Sequence, residues 1–208
     1  MIGFALVALL ATQSAKSIDL PVTQSFWDYV HASDPVGDEF LRVWGADGLA
    51  APADGGTDSF SFAFLRIDVS SLPIGNPTKA VLILRNMSPA GYSRAEAKST
   101  PLEARELVRK VKGIEWDSSD APAAAATIFG VSTFDDKANP PELDIDLLAG
   151  PNDFKKALST AETGPDKTLF LALTSAIDPA GGGRSSIYKF YSAAADNKAF
   201  RPYIKLEY

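Results

Sequence analysis

The chain has 208 residues, 46% hydrophobic and 22% charged, enough for one domain with a sizeable core. Its net charge of -6 argues against a nucleic-acid partner, whose phosphates require a basic surface. The absence of cysteine excludes disulfides, thiolate metal sites and cysteine nucleophiles, and a single histidine excludes a multi-histidine zinc or copper site within one chain.

The N-terminal apolar run, Gly3 to Ala11, is too short to cross a bilayer, which takes ~20 residues. Ala15-Lys16-Ser17 follows it with small residues spaced for cleavage. Residues 1–17 therefore read as a secretory signal peptide and 18–208 as one secreted domain, although no Lys or Arg precedes the apolar run. The competing reading is a buried first strand or helix. No later run is long enough to be transmembrane, so no membrane span is expected after signal removal.

Strand-like runs then recur between turn signals. Trp27, Tyr29 and His31 alternate near the start. Phe40 to Trp44 ends at Gly45-Ala46-Asp47-Gly48, and Phe60 to Val69 ends at a Ser/Pro/Gly turn before Ala80 to Arg85. Thr100-Pro101-Leu102-Glu103 resembles a capping box and opens a helix to about Val111, but Leu107, Arg109 and Val111 also alternate as a strand would, and both readings stand. Asp117 to Ala126 reads as a surface loop. Leu143 to Leu147 alternates strictly, and Pro151 to Leu158 reads as a short helix with Phe154 and Leu158 on one face. Thr168 to Thr174 is a further strand, and Gly181-Gly182-Gly183 leads to two more, Ser186 to Ser192 and Arg201 to Tyr208. Many short strands separated by Gly/Pro turns predict an all-β antiparallel jelly-roll β-sandwich with one or two short helices.

In order along the chain, several of these runs resemble the secreted DNRLRE-type domains, related to carbohydrate-binding module family 96. Phe64-Leu65-Arg66-Ile67-Asp68-Val69-Ser70-Ser71-Leu72-Pro73 is similar to that family's L-x-F-D-L-S-S-L-P strand and turn. Lys79 to Leu84, Ile114-Glu115-Trp116-Asp117, Glu142 to Leu148, and the pair Tyr188 to Ser192 with Arg201 to Leu206 follow in the family's order. Two departures are clear: Ile67 stands where the family has Phe, and Ala193-Ala194-Ala195 stands where an acidic residue follows the F-Y-S segment. The resemblance implies a jelly-roll sandwich in secreted or cell-surface bacterial proteins, often beside polysaccharide-degrading or adhesive domains. Some members bind acidic glycans such as alginate.

Alternation assigns Leu41, Val43, Leu65, Ile67, Val69, Ala80, Leu82 and Leu84 to the core. The opposite faces carry Phe40, Arg42 and Trp44, then Phe62, Phe64, Arg66 and Asp68, then Val81, Ile83 and Arg85. Aromatic faces stack on sugar C–H faces and arginine forks bind carboxylates, so Phe40, Arg42, Trp44, Phe62, Phe64 and Arg66 form a candidate polysaccharide platform. The bland alternative covers this face with the 92–141 segment as a second small core. Trp27 and Tyr29 are a second candidate platform, with burial the alternative, and Trp116 either packs or stacks on sugar. Calcium is a candidate structural cofactor, with oxygen ligands clustered at Asp34, Asp38 and Glu39, at Asp54 and Asp58, and at Asp135, Asp136 and Asn139, none with EF-hand spacing. No nucleophile elbow or phosphate loop is present, so a non-catalytic binding protein is expected rather than an enzyme. The rival expectation is a structural or adhesive matrix or filament subunit that self-assembles through the same aromatic face and binds no sugar.

Overall fold

The structure is a computed structural model that describes residues 16–29, 38–45, 61–73, 75–107, 124–135, 142–150, 154–178 and 186–208. The N-terminal apolar run Gly3 to Ala11, His31, Trp116, the triple glycine, and the acids Asp34, Asp54, Asp58 and Asp136 with Asn139 lie outside the described residues.

The described strands are β1 (Ser17–Tyr29), β2 (Phe40–Val43), β3 (Ser61–Asp68), β4 (Lys79–Arg85), β5 (Glu103–Leu107), β6 (Ala124–Asp135), β7 (Glu142–Asp146), β8 (Thr168–Thr174), β9 (Tyr188–Tyr191) and β10 (Tyr203–Glu207). Two helices join them, α1 (Arg94–Ser99) and α2 (Phe154–Thr163). The expected jelly-roll sandwich is not what forms. Eight strands close into an antiparallel barrel in the order β1-β10-β4-β7-β6-β5-β8-β3, and β2 pairs with β9 as a separate two-stranded sheet.

Two long strands make the difference. The first half of β1 pairs with β10 (Ser17↔Glu207 to Pro21↔Tyr203), and its second half pairs with β3 (Val22↔Ile67 to Tyr29↔Ser61) across a bulge between Val22 and Gln24. Strand β6 likewise serves β5 with its first part and β7 with its last, Ser132 to Asp135. A bulge bends a strand and re-aims its hydrogen bonds, so each long strand joins an edge of one sheet to an edge of the other. At the β6 crossing, Gly130 passes so close to Asp146 that a Cβ would collide with the Asp146 carbonyl. Only glycine allows that approach.

Every sequence-assigned core position is buried in the barrel: Leu41, Val43, Leu65, Ile67, Ala80, Leu82 and Leu84 are fully enclosed, and Val69 nearly so. The sheet of β2 and β9 closes one mouth. Its ends are bridged to the barrel through Trp44↔Ser61 beside β3 and Asn86↔Phe190 beside β4, and Leu41, Val43, Tyr188 and Phe190 plug the opening. The Tyr188 hydroxyl donates to the Thr100 carbonyl at 2.9 Å; burial pushes this phenol's pKa up, keeping it a donor. The other mouth holds α2, which connects the end of β7 to the start of β8. There Phe154, Ala157 and Leu158 face the core, with Phe154 edge-on to Phe129 at 5.4 Å.

The two readings of the segment after Thr100 resolve in favour of strand: β5 runs Glu103–Leu107, with Leu102 and Ala104 buried inward. The capping box sits one element earlier. The Ser93 hydroxyl accepts from Glu96 N at 3.2 Å, and the Glu96 carboxylate accepts from Ser93 N at 2.7 Å, which starts α1. Positions 109 and 111 lie outside the described residues.

Candidate functional site

The outward face of β2 and β9 gathers aromatic and cationic side chains. Cross-strand register sets Phe40 opposite Tyr191 and Arg42 opposite Lys189. The Phe40 and Tyr191 rings lie 4.9 Å apart, and Tyr191 meets Phe200, from the 3-10 turn Lys198–Phe200, at 4.8 Å. The three rings form one continuous, half-exposed ledge, because side chains on one face of a short antiparallel pair must stand side by side.

Two cations directly opposite each other repel, and each finds relief on an aromatic face. Lys189 Nζ lies 4.3 Å over the Phe40 ring, and Arg42 Cζ lies 4.7 Å over the Trp27 ring. Arg42 is further anchored to Asp38, whose Oδ2 accepts from its guanidinium at 2.9 Å. The second Asp38 oxygen accepts from Trp27 Nε1 at 3.2 Å and from Phe40 N at 3.1 Å. Asp38 thus fixes the start of β2, the tilt of Trp27 and the fork of Arg42 together. From β9, the Ser192 hydroxyl donates to the Asp38 carbonyl at 2.6 Å, and Ser192 N donates to the Glu39 carbonyl at 2.8 Å. Lys189 is paired with no carboxylate among the described residues.

The sequence-derived platform therefore divides. Phe40 and Arg42 share the ledge. Trp27 is 8% exposed and belongs to the barrel core, with Trp44 packed against that core and 6.2 Å from it. Phe62 and Phe64 lie on the outer barrel wall, where they are 5% and 1% exposed in a second buried cluster with Phe26, Leu107 and Ala172. Phe26 stacks on Phe64 at 5.3 Å. No sugar ring reaches Phe62 or Phe64 in this arrangement. Beside them Arg105 is also buried, donating to Thr174 at 3.2 Å and to Glu103 at 2.6 Å. Arg66 is exposed on the same wall, apart from the ledge. Tyr29 occupies the end of β1 opposite Ser61, and its side chain lies outside the described residues.

Tyr191, Lys189, Phe200 and Asp38 complete the ledge, although sequence reasoning did not place them there. The outward parity of Tyr191 was available from its alternation with Tyr188; its partner strand was not. Beside the ledge, Arg201 Nε donates to the Ala195 carbonyl at 2.8 Å. Of the calcium candidates, Asp38 has both carboxylate oxygens engaged by protein donors, and among the described residues no group of His, Cys, Asp and Glu is placed to hold a metal. No described helix is long and apolar enough to cross a membrane. Compared with known proteins, the chain matches no family model and no curated sequence.

Proposed function

We propose that this chain is a secreted, non-catalytic polysaccharide-binding protein that holds an acidic glycan across the ledge of Phe40, Tyr191 and Phe200. The observation that carries this reading is a run of three touching, half-exposed rings flanked by Lys189 and Arg42 on a chain whose net charge is -6. Sugar rings present C–H faces to aromatic planes, and a uronate carboxylate would complement Lys189. Arg42, already bound to Asp38, acts mainly as a buttress of the ledge.

Affinity electrophoresis through gels containing alginate, pectin, xylan or cellulose tests the reading. Retardation by an acidic glycan, abolished in Tyr191→Ala and weakened in Lys189→Met, is the expected result. Free migration in every gel, with the same rings buried between copies of the chain in solution, would replace it with the structural or adhesive alternative.

A further inference from the structure

The two cations of the ledge are tied down to different degrees, and the difference bears on which glycan the ledge accepts. Arg42 is committed twice, to Asp38 Oδ2 at 2.9 Å and to the face of Trp27 at 4.7 Å. Trp27 is buried, and its indole nitrogen donates to the same Asp38, so Arg42 cannot leave without breaking the foot of β2. Lys189, directly opposite on β9, is held differently: its ammonium lies 4.3 Å over the Phe40 ring. Among the described residues no carboxylate pairs with it, and Arg42 across the strand pair repels it.

A half-exposed ammonium on an aromatic face is held weakly, whereas a hydrogen bond between an ammonium and a carboxylate is among the stronger contacts a surface offers. A uronate carboxylate arriving at the ledge therefore draws Lys189 off Phe40. The same movement uncovers the Phe40 ring, which adjoins Tyr191 at 4.9 Å and, through it, Phe200 at 4.8 Å. A neutral sugar makes no such exchange. To stack on Phe40 it must displace the ammonium, and it gives that charge no partner in return.

We propose, resting on the reading of the ledge as a glycan site, that Lys189 is the residue that selects uronate-containing glycans: it covers Phe40 in the free protein and exchanges the ring for the sugar carboxylate on binding. The parked ammonium acts in both directions, attracting the acid and obstructing its neutral counterpart. Arg42, fixed to Asp38, holds the other side of the strand pair still while Lys189 moves.

Short oligomers of galacturonate and of guluronate, each as the free acid and as the methyl ester, separate charge from ring shape. Isothermal titration into the full chain should show binding of at least one acid and weaker binding of its ester. Lys189→Ala should weaken acid binding at least about tenfold, the loss of one charge-assisted hydrogen bond, and should strengthen ester binding about threefold, because the ring is no longer occupied. Lys198→Ala, on the turn that carries Phe200, removes an exposed positive charge and should leave ester binding unchanged. In proton NMR spectra of the free parent, the ε-methylene of Lys189 should be shifted upfield by the Phe40 ring current and should return toward its ordinary position as the acid is added. If the parent binds neither acid, the ledge is not a uronate site, and the glycan reading falls together with the exchange. If the parent binds an acid but Lys189→Ala keeps the parent's preference, if Lys198→Ala strengthens ester binding equally, or if the ε-methylene shift is absent, the glycan reading stands and the exchange alone is overturned.

Discussion

The outer wall around Phe64 and the ledge around Tyr191 share a sequence signature and differ in fate. Both place aromatic residues and an arginine on the outward side of an alternating strand. On the wall, Phe26, Phe62 and Phe64 are sealed into a second core while Arg66 of the same strand stays exposed, and Arg105 of β5 is buried and paired with the half-buried Glu103. On the ledge, Phe40, Tyr191 and Phe200 stay half-exposed, and the cations lie over aromatic rings at the surface. A period of two decides which way a side chain points. What lies on top of it depends on segments far away in the chain.

The sharpest contrast is in stability. Phe64→Ala should cost ~3–5 kcal/mol, the usual range for deleting a buried phenylalanine, whereas Tyr191→Ala should cost under ~1 kcal/mol, as surface changes do. Urea denaturation of the two variants checks both, and equal losses would erase the distinction between wall and ledge. Asp38→Ala should fall between them at ~1–2 kcal/mol, because it strips acceptors from Trp27 Nε1, Phe40 N and Arg42 at the foot of the ledge. In the same variant the tryptophan fluorescence should change, since Trp27 loses its indole hydrogen bond.

The smallest effect is a pH dependence beside β9. The Glu96 carboxylate accepts from the Ser186 hydroxyl at 2.7 Å and from Ser93 N, and these bonds, Ser186 first, lower its pKa below the ordinary 4.5. A depressed carboxylate contributes stability above its unfolded value and loses it as pH falls through the folded value. The contribution of Glu96 should therefore be complete above about pH 4.5 and fade below it. Thermal melts of the parent and Glu96→Gln should differ at neutral pH and converge in acid. Curves that stay parallel would show that this carboxylate does not tie α1 to the β9 approach.

Much of the inward architecture was legible from sequence. Alternation identified the barrel-facing residues of β2, β3, β4 and β7, because burial of that face enforces it, although Phe62, Phe64 and Ile83 on the opposite faces are buried as well. The spacing of Phe154 and Leu158 marked α2 for the same reason. The capping box was read one element late because Ser93-x-x-Glu96 and Thr100-x-x-Glu103 share a pattern; Pro101 favoured the second, yet strand pairing of Glu103 to Leu107 with β6 and β8 overrode it. Barrel closure was not legible. It depends on β1 and β6 changing partners midway, and alternation does not record which neighbour a residue has. The ledge was half legible: Phe40 and Arg42 were placed from their own strand, but Tyr191 and Phe200 reach them through pairing of β2 with β9, across most of the sequence.

Closure through β1 also bears on how the molecule assembles. The seam Ser17↔Glu207 to Pro21↔Tyr203 joins the most widely separated strands of the ring. Contacts between such distant partners are entropically late and slow folding. Until β10 docks, the first half of β1 and the edge of β4 both present unpaired backbone amides and carbonyls, a template for another chain. The same strand that seals the finished barrel thus defines its vulnerable interval, and crowding during refolding should divert molecules into intermolecular strand pairing at that seam before any other.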